Sequence, residues 1–288
     1  MRKILICPNP MRDIGLQTAK AIVEGLKGRA LTTLYPLNYV SEARTEPVGA
    51  ELKALCKEIK QHDLVICLGG DGTILHLARM TAEYSLPLLT VNLGTKGFMA
   101  ELEADEHEKI IETALLPTWR IDQRMMLDIS VLRNGQVIYE DFALNDAVIR
   151  GLTRIVDLWV YGDQQLIMNY SGDGIIIATP TGSTAYSMSA GGPIVEPNTQ
   201  NLAITPICAH ALMAKSFILA PERTVLVKIG LFNGKEAILS VDGGSFPIED
   251  ADEMIVKKSE FVTRLVRVKG RSFYQLLGEK LGNDGGKE

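Results

Sequence analysis

Residues Asp63 to Leu77 read DLVICLGGDGTILHL, and this stretch restricts the fold more than any other. Leu64 to Leu68 is a short apolar run with β-branched members, while from Thr73 onward apolar residues recur at helical spacing. Gly69, Gly70, Asp71, Gly72 and Thr73 therefore fall in a strand-to-helix turn. Such a turn aims backbone N–H groups at one point, its glycines let a phosphate approach the backbone, and the helix N-terminus behind it favours negative charge. Asp71 is the one residue of the five that accepts a proton at neutral pH. A plain turn with a helix-capping aspartate would also satisfy these five residues. A phosphate cradle beside a carboxylate points instead to phosphoryl transfer.

The sequence before position 117 alternates strands and helices. Ile4 to Cys7 and Leu31 to Leu34 read as strands, and Thr18 to Leu26 reads as a helix with Ala19, Ile22, Val23 and Leu26 on one face. Leu52, Leu55, Cys56 and Ile59 fall at helical spacing, Pro87 to Val91 starts another strand, and Ile110, Ile111 and Leu115 mark a further helix. This βαβ arithmetic implies a Rossmann-like α/β domain with a mostly parallel sheet, whose ligands bind at the carboxyl ends of strands. Both Gly69 to Thr73 and the segment NLGTKGF, from Asn92 to Phe98, occupy such ends.

After Pro117 the character changes. Leu127, Ile129 and Val131 alternate with Asp128 and Ser130, and Asn134-Gly135 supplies a hairpin turn before Val137 to Tyr139. Gly162 and Asp163 separate Val156 to Tyr161 from Gln165 to Met168, and Asn233-Gly234 separates Val225 to Ile229 from Ala237 to Val241. The expected division is an α/β domain over 1–117, a β-rich domain over 118–268, and a C-terminal segment over 269–288. In that segment Ser272 to Leu281 forms a helix packing back on the first domain through Phe273, Leu276, Leu277 and Leu281, followed by a disordered tail.

Composition sets outer limits. The 288 residues, 46% hydrophobic and 23% charged, suffice for two ordinary cores, and a formal net charge of −5 argues against broad nucleic-acid binding. The apolar stretch at Ile4 to Cys7 is too short for a signal-peptide core, and nothing approaches a membrane span, so a soluble, cytoplasmic protein without membrane partners is expected. Cys7, Cys56, Cys67 and Cys208 lie far apart and read as buried free thiols.

A second chemically dense stretch is Gly172 to Pro193, GDGIIIATPTGSTAYSMSAGGP. Thr179, Thr181, Ser183, Thr184, Ser187 and Ser189 could bring hydroxyls to sugar hydroxyls, an adenine edge or phosphates, and a nucleotide pocket follows. A flexible linker is the alternative, but Ile175 to Ile177, Pro180 and Tyr186 argue for a fixed loop. The chain lacks GxxxxGK[ST] and HExxH, and Ser183 lies in TGSTA, outside a hydrolase elbow. His62, His76, His107 and His210 show no metal-ligand spacing, so no dedicated metal site is expected.

Taken together, Gly69-Gly70-Asp71-Gly72-Thr73, Asn92-Leu93-Gly94 with Gly97-Phe98, Asn145-Asp146, and Asp173-Gly174 running into Thr179 to Tyr186 resemble the ordered motif set of the NAD kinases. The resemblance spans most of the chain. GGDGT alone is shared with diacylglycerol and sphingosine kinases and has a near relative in 6-phosphofructokinases, whereas TPTGSTAY is far more selective. The resemblance implies that Asp71 is the proton acceptor and that NAD is held by Asp71, Gly72, His76, Phe98, Asn145, Asp146, Arg154, Asp173, Thr184, Ala185, Tyr186 and Ser189. Within that set, Phe98 matches an aromatic at the adenine pocket, Asn145 and Asp146 the pair on ribose hydroxyls, Asp173 the carboxylate beside the nicotinamide end, and Thr184 to Ser189 the segment around the adenosine.

Three positions depart from the family pattern. Asp146 replaces the usual glutamate, Ser171 stands where many members carry arginine, leaving Arg154 as a substitute cation, and Gly244 replaces the glutamine of Asp-Gly-Gln after Asp242-Gly243. The implied reaction moves the terminal phosphoryl group of ATP, with its magnesium ion, to the 2′-hydroxyl of the adenosine ribose of NAD, giving NADP. The resemblance also implies a homo-oligomer, a dimer or tetramer. The rival readings are a lipid kinase, which needs an apolar lip that Thr179 to Ser189 does not offer, and a non-catalytic NADP sensor, which would not need Asp71.

Overall fold

The computed structural model describes residues 1–39, 49–94, 97–211, 214–231, 234–270 and 272–282. The chain divides into two compact units, Met1–Gln123 with Thr263–Glu288, and Arg124–Val262. The boundaries fall inside two long strands that run from one unit into the other, so no composition change marks them.

The first unit contains β1 (Lys3–Pro8), α1 (Gln17–Leu26), β2 (Leu31–Leu34), α2 (Ala50–Ile59), β3 (Leu64–Gly69), α3 (Asp71–Ala82), β4 (Pro87–Asn92), β5 (Leu102–Glu103), α4 (His107–Leu115) and the start of β6 (Arg120–Arg133). Strands β2, β1, β3 and β4 lie side by side, all parallel, and β5 adds to the end of β4. All six residues of β3 are buried, as expected of a central parallel strand covered on both faces. Ala19, Ile22 and Leu26 are the buried positions of α1, and they join Ile4, Ile6, Leu64, Ile66, Leu68, Ile110 and Ala114 in one core cluster.

The second unit is antiparallel throughout. It holds β7 (Gln136–Ala143), β8 (Asp146–Gly151), β9 (Val156–Gly162), β10 (Gln165–Gly172), β11 (Gly174–Ala178), the short α5 (Tyr186–Ser189), β12 (Leu202–Ile207), β13 (Phe217–Leu219), β14 (Val225–Gly230), β15 (Ala237–Val241), β16 (Gly244–Ile248) and most of β17 (Glu253–Arg267). One layer runs β10-β9-β14-β17, with β6 pairing β17 and β7; the other runs β13-β12-β11-β8-β15-β16. Inward residues of both layers, among them Leu127, Ile149, Leu158, Ile175, Ile204, Val227 and Leu239, form a single core cluster.

Two hairpin expectations change. The turn between β9 and β10 is Asp163-Gln164, with φ of 46° and 71°, and Gly162 belongs to the strand, paired with Gln165. Aspartate and glutamine thus take the left-handed positions that the sequence reading assigned one residue earlier. Strands β14 and β15 form no hairpin, because β14 pairs with β9 and β17 while β15 pairs with β8 and β16; Asn233 lies outside the described residues. The Asn134-Gly135 turn does close a hairpin, with φ of 52° and 76° and Arg133 facing Gln136. Cys7 and Cys67 are buried thiols as expected, but Cys56 is only half-buried and Cys208 is exposed.

The last residues of β17 re-enter the first unit parallel to β4, with Leu265 opposite Leu88. Arg267 locks this return, pairing with Asp122 and Glu101 at 3.0 Å each, while Glu101 also accepts the N–H of Val268 at 2.7 Å. Helix α6 (Phe273–Leu281) follows, opened by a capping box between Ser272 and Gln275. None of its residues is fully buried, and Leu281 is 46% exposed, so the expected apolar face is only partly covered. Of the tail expected to be disordered from Gly282 to Glu288, Gly282 is instead the helix C-cap, donating its N–H to the Gly278 carbonyl, and 283–288 lie outside the described residues.

Candidate active site

In the first unit the glycine turn leaves β3 at Gly69 and enters α3 at Asp71, with Gly70 extended at the N-cap (φ −94°, ψ −178°). Its glycines serve different ends. A Cβ on Gly69 would lie 2.6 Å from the Cβ of Thr73, so packing alone demands glycine there; a Cβ on Gly70 or Gly72 would meet nothing within 4 Å. The backbone at Gly70 and Gly72 therefore fronts open space, and the first N–H groups of α3 have no partner within the helix. An anion fits such a place.

The Asp71 carboxylate stands at this mouth, its side chain 36% exposed. It accepts the N–H of Phe98 at 2.9 Å and of Met99 at 3.4 Å. A Cβ on Gly97 would approach Asp71 Oδ1 to 1.8 Å, so Gly97 makes the room that this carboxylate needs. Lys280, on α6, lies 4.0 Å from Asp71 Oδ2 and 4.1 Å from the centroid of the Phe98 ring. Asp71, Gly97, Phe98 and Lys280 thus form one group, while Thr95 and Lys96 lie outside the described residues. His76 is set apart: it packs edge-on against Tyr39, 5.5 Å between ring centroids, with Nε2 buried and without a partner among the described residues. Burial, helped by the Arg79 charge, pushes its pKa down to about 4, so it is neutral at neutral pH.

In the second unit Asp146 opens β8 and Asn145 precedes it. The carboxylate of Asp242, in the tight turn between β15 and β16, accepts the N–H groups of Leu144 (2.7 Å), Asn145 (2.9 Å) and Asp146 (3.1 Å). Asp242 and Gly243 take φ of 47° and 96°, the two left-handed positions of a two-residue hairpin. The sequence reading weighed this triplet only for the contacts of its third residue; the Asp-Gly pair already signalled the hairpin. Asp146 is 8% exposed, and burial together with the Asp242 charge raises its pKa to about 7.

The threonine-serine loop is built against this same point. Thr179 Oγ1 donates to the Leu144 carbonyl at 2.6 Å and accepts the Gly182 N–H at 3.0 Å, while its own N–H donates to the Asn145 carbonyl at 2.9 Å. A Cβ on Gly182 would sit 2.1 Å from the Asn145 carbonyl oxygen, so Gly182 lets the two motifs touch. The expected row of ligand-facing hydroxyls is corrected here. Thr179, Ser183 and Ser187 are fully buried and spend their hydroxyls on Leu144, on Pro180 and on Thr205. They fix the loop. Tyr186 and Ser189 are exposed, and Thr184 and Ala185 are half-buried, so the outward residues come after Ser183.

Asp173, between β10 and β11, is exposed; its carboxylate takes the Cys208 thiol and so raises that thiol's pKa. The Asp173 carbonyl accepts the N–H of Gly151, and a Cβ on Gly151 would sit 2.0 Å from the carbonyl oxygen of Arg154, so the Arg154 turn adjoins Asp173. Ser171 bonds Asp157, which also holds Lys235 at 2.9 Å, so Ser171 shares its carboxylate partner with a paired lysine.

Comparison with known proteins decides the family. Residues 4–117 match the model of the ATP-NAD kinase N-terminal domain, and residues 145–268 that of the ATP-NAD kinase C-terminal domain. The NAD kinase of Acetivibrio thermocellus is 38% identical over 290 residues, 99% of each chain, and that of Natranaerobius thermophilus is 39% identical over 293 residues, 100% of each. The chain belongs to the NAD kinase family. Yeast NADH kinase, solved with NADH, superposes with a TM-score of 0.80 at 26% identity, covering 100% of this chain and 89% of its own. An NAD kinase from Archaeoglobus fulgidus, solved with ATP, shares the fold at a TM-score of 0.73 and 23% identity, covering 96% of this chain and 98% of its own. The protein is thus a kinase of α/β plus β-rich architecture. Among the described residues, no helix is long and apolar enough to cross a membrane.

Proposed function

We propose that this kinase transfers the terminal phosphoryl group of ATP to the 2′-hydroxyl of the adenosine ribose of NAD, giving NADP and ADP, with Asp71 as the proton acceptor. The observation that carries the reading is the Asp71 carboxylate at the mouth of an open glycine turn, oriented by the Phe98 N–H and by the space that Gly97 leaves. The bond from the ribose oxygen to the terminal phosphorus forms as the bond from that phosphorus to its bridging oxygen breaks. The hydroxyl proton passes to Asp71. A weakly basic carboxylate suffices because the transition state is loose and the proton leaves late.

Asn145 and Asp146 would take ribose hydroxyls, Asp173 would lie beside the nicotinamide end with Arg154 next to it, and Thr184, Ala185, Tyr186 and Ser189 would line the adenosine. Gly72, His76 and Phe98 would meet the acceptor from the Asp71 side. Among the described residues no three His, Cys, Asp or Glu side chains group as a metal cage. The magnesium ion would be carried in by the nucleotide, drawing its ligands chiefly from phosphate oxygens and water, and would offset the phosphate charge. The homo-oligomer and the cytoplasmic location belong to the same proposal; the mass in solution tests the first.

The test is a coupled assay with ATP, NAD and magnesium, read by an NADP-specific dehydrogenase. NADP formation is expected. A protein that phosphorylates diacylglycerol or sphingosine instead, or that binds NADP without turnover, contradicts the reading. Polyphosphate in place of ATP, and NADH in place of NAD, define donor and acceptor in the same assay.

A further inference from the structure

We propose that Arg12 is a donor-binding residue, whose guanidinium takes the phosphoryl chain of the donor at the mouth of the Gly69–Thr73 turn. The inference rests on the phosphoryl-transfer reading above and adds the residue that selects for a polyphosphate.

Arg12 sits in a loop with little freedom. Asn9, 6% exposed, donates its backbone N–H to the Leu68 carbonyl at 2.9 Å and its side-chain amide to Thr73 Oγ1 at 3.0 Å. The side-chain oxygen of Asn9 accepts the N–H of Met11, and its carbonyl accepts those of Arg12 (3.0 Å) and Asp13 (2.8 Å). Asp13, also buried, holds the N–H groups of Thr18 and Ala19 at the start of α1. Position 12 is therefore pinned from both sides, through Asn9 to the very turn that carries Asp71.

From there the side chain crosses the sheet edge. Strand β3 lies between β1 and β4. Arg12 follows β1, yet a Cβ on Gly94, which follows β4, would stand 3.3 Å from an Arg12 terminal nitrogen and 3.9 Å from Cζ. Both loops border the end of β3: Asn9 donates its N–H to the Leu68 carbonyl, and Leu93, beside Gly94, donates its N–H to the Gly69 carbonyl at 3.1 Å. The guanidinium therefore lies beside Gly94, next to the strand end at which the glycine turn begins.

Its charge is unspent. Among the described residues Arg12 is exposed and makes no side-chain hydrogen bond or ion pair, whereas Lys280 faces Asp71 and Arg267 is paired with Glu101 and Asp122. A positive side chain, a helix N-terminus and open glycine backbone around one point constitute a site for several adjacent negative oxygens. The planar fork of arginine matches phosphate in a bidentate manner. The acceptor, by contrast, must present one neutral hydroxyl to Asp71, which faces Gly97 and Phe98 and not Gly94.

The test titrates ATP and, separately, inorganic tripolyphosphate against the full chain as wild type, Arg12→Met and Arg12→Lys, and then measures both substrates' KM. Arg12→Met is expected to weaken ATP and tripolyphosphate alike by about 10- to 100-fold, the range of charge-assisted hydrogen bonds. Arg12→Lys should recover part of that loss, since a point charge remains without the fork. The KM for NAD should stay within about 2-fold, because Arg12 itself is not among the proposed acceptor contacts. Unchanged ATP affinity in Arg12→Met, an equal rise in both KM values, or no ATP binding by the wild type would overturn the assignment. A wild type that binds ATP and makes no NADP would end the functional reading alone, and the ATP titrations would still decide Arg12.

Discussion

The glycine turn of the first unit and the threonine-serine loop of the second are both rich in residues without bulk, but they use that freedom in opposite directions. Gly70 and Gly72 front open space, whereas Cβ atoms on Gly174, Gly182 and Gly192 would collide with Ile149, Asn145 and Ser187. Asp71 is half-buried, whereas Asp146 is buried. The first region keeps its backbone bare for a ligand, and the second spends its small residues on holding itself rigid. The reaction and the recognition proposed for them thus place different demands on the same residue types, and substitutions should separate them.

The largest expected effect on folding is at Gly182. Gly182→Ala forces a methyl against the Asn145 carbonyl, 2.1 Å away, and should cost about 3 kcal/mol or more, seen as a lowered denaturation midpoint. Gly70→Ala is its counterpart: φ of −94° suits alanine and nothing lies within 4 Å, so stability should hold while the KM for ATP rises. If Gly70→Ala proves as destabilising as Gly182→Ala, the distinction between the regions fails.

Asp242→Ala should come next. It leaves three backbone N–H groups at 144–146 without their acceptor, for about 2 kcal/mol and a higher KM for NAD. A normal KM for NAD in that variant would detach Asp242 from the substrate site.

The two regions should also respond to acid with opposite signs. Asp146 titrates near pH 7 in the fold and near ~3.9 when unfolded. Between those values the folded state binds more protons, so this group's contribution to stability falls as pH rises from about 4 to about 7. His76 titrates near 4 in the fold and near ~6.5 unfolded, so the unfolded state binds more protons and stability is lost as pH falls through that window. Denaturation of Asp146→Asn and His76→Gln across pH 4 to 8 checks both slopes: each variant should flatten one and leave the other. The smallest effect is expected at Lys280, where a partly exposed ion pair and a ring contact contribute about 1 kcal/mol together. Lys280→Ala should chiefly speed amide exchange across α6, which has no fully buried residue.

The same contrast explains what was legible in the sequence. β3, the turn and α3 are contiguous, and a strand buried on both faces followed by helical spacing announces itself. The resemblance reached further, singling out Asn145 and the loop from Thr179, which the second unit does bring into contact. What escaped was non-local. Asp242 acts on residues 96 to 98 positions away, Gly97 matters only because Asp71 folds toward it, and Lys280 arrives from a helix at the far end of the chain. The hydroxyls of Thr179, Ser183 and Ser187 showed that position's chemistry without showing that it points inward. The β14 and β15 assignment failed for a related reason: a turn signal says that the chain reverses, but pairing is settled by which layer buries each face.

The most direct measurement is the turnover of Asp71→Asn beside its thermal stability, with saturating ATP and NAD. General-base removal should lower kcat by about 10² to 10⁴ while the melting midpoint stays close to that of the wild type. Near-normal turnover in a folded Asp71→Asn protein would contradict the account.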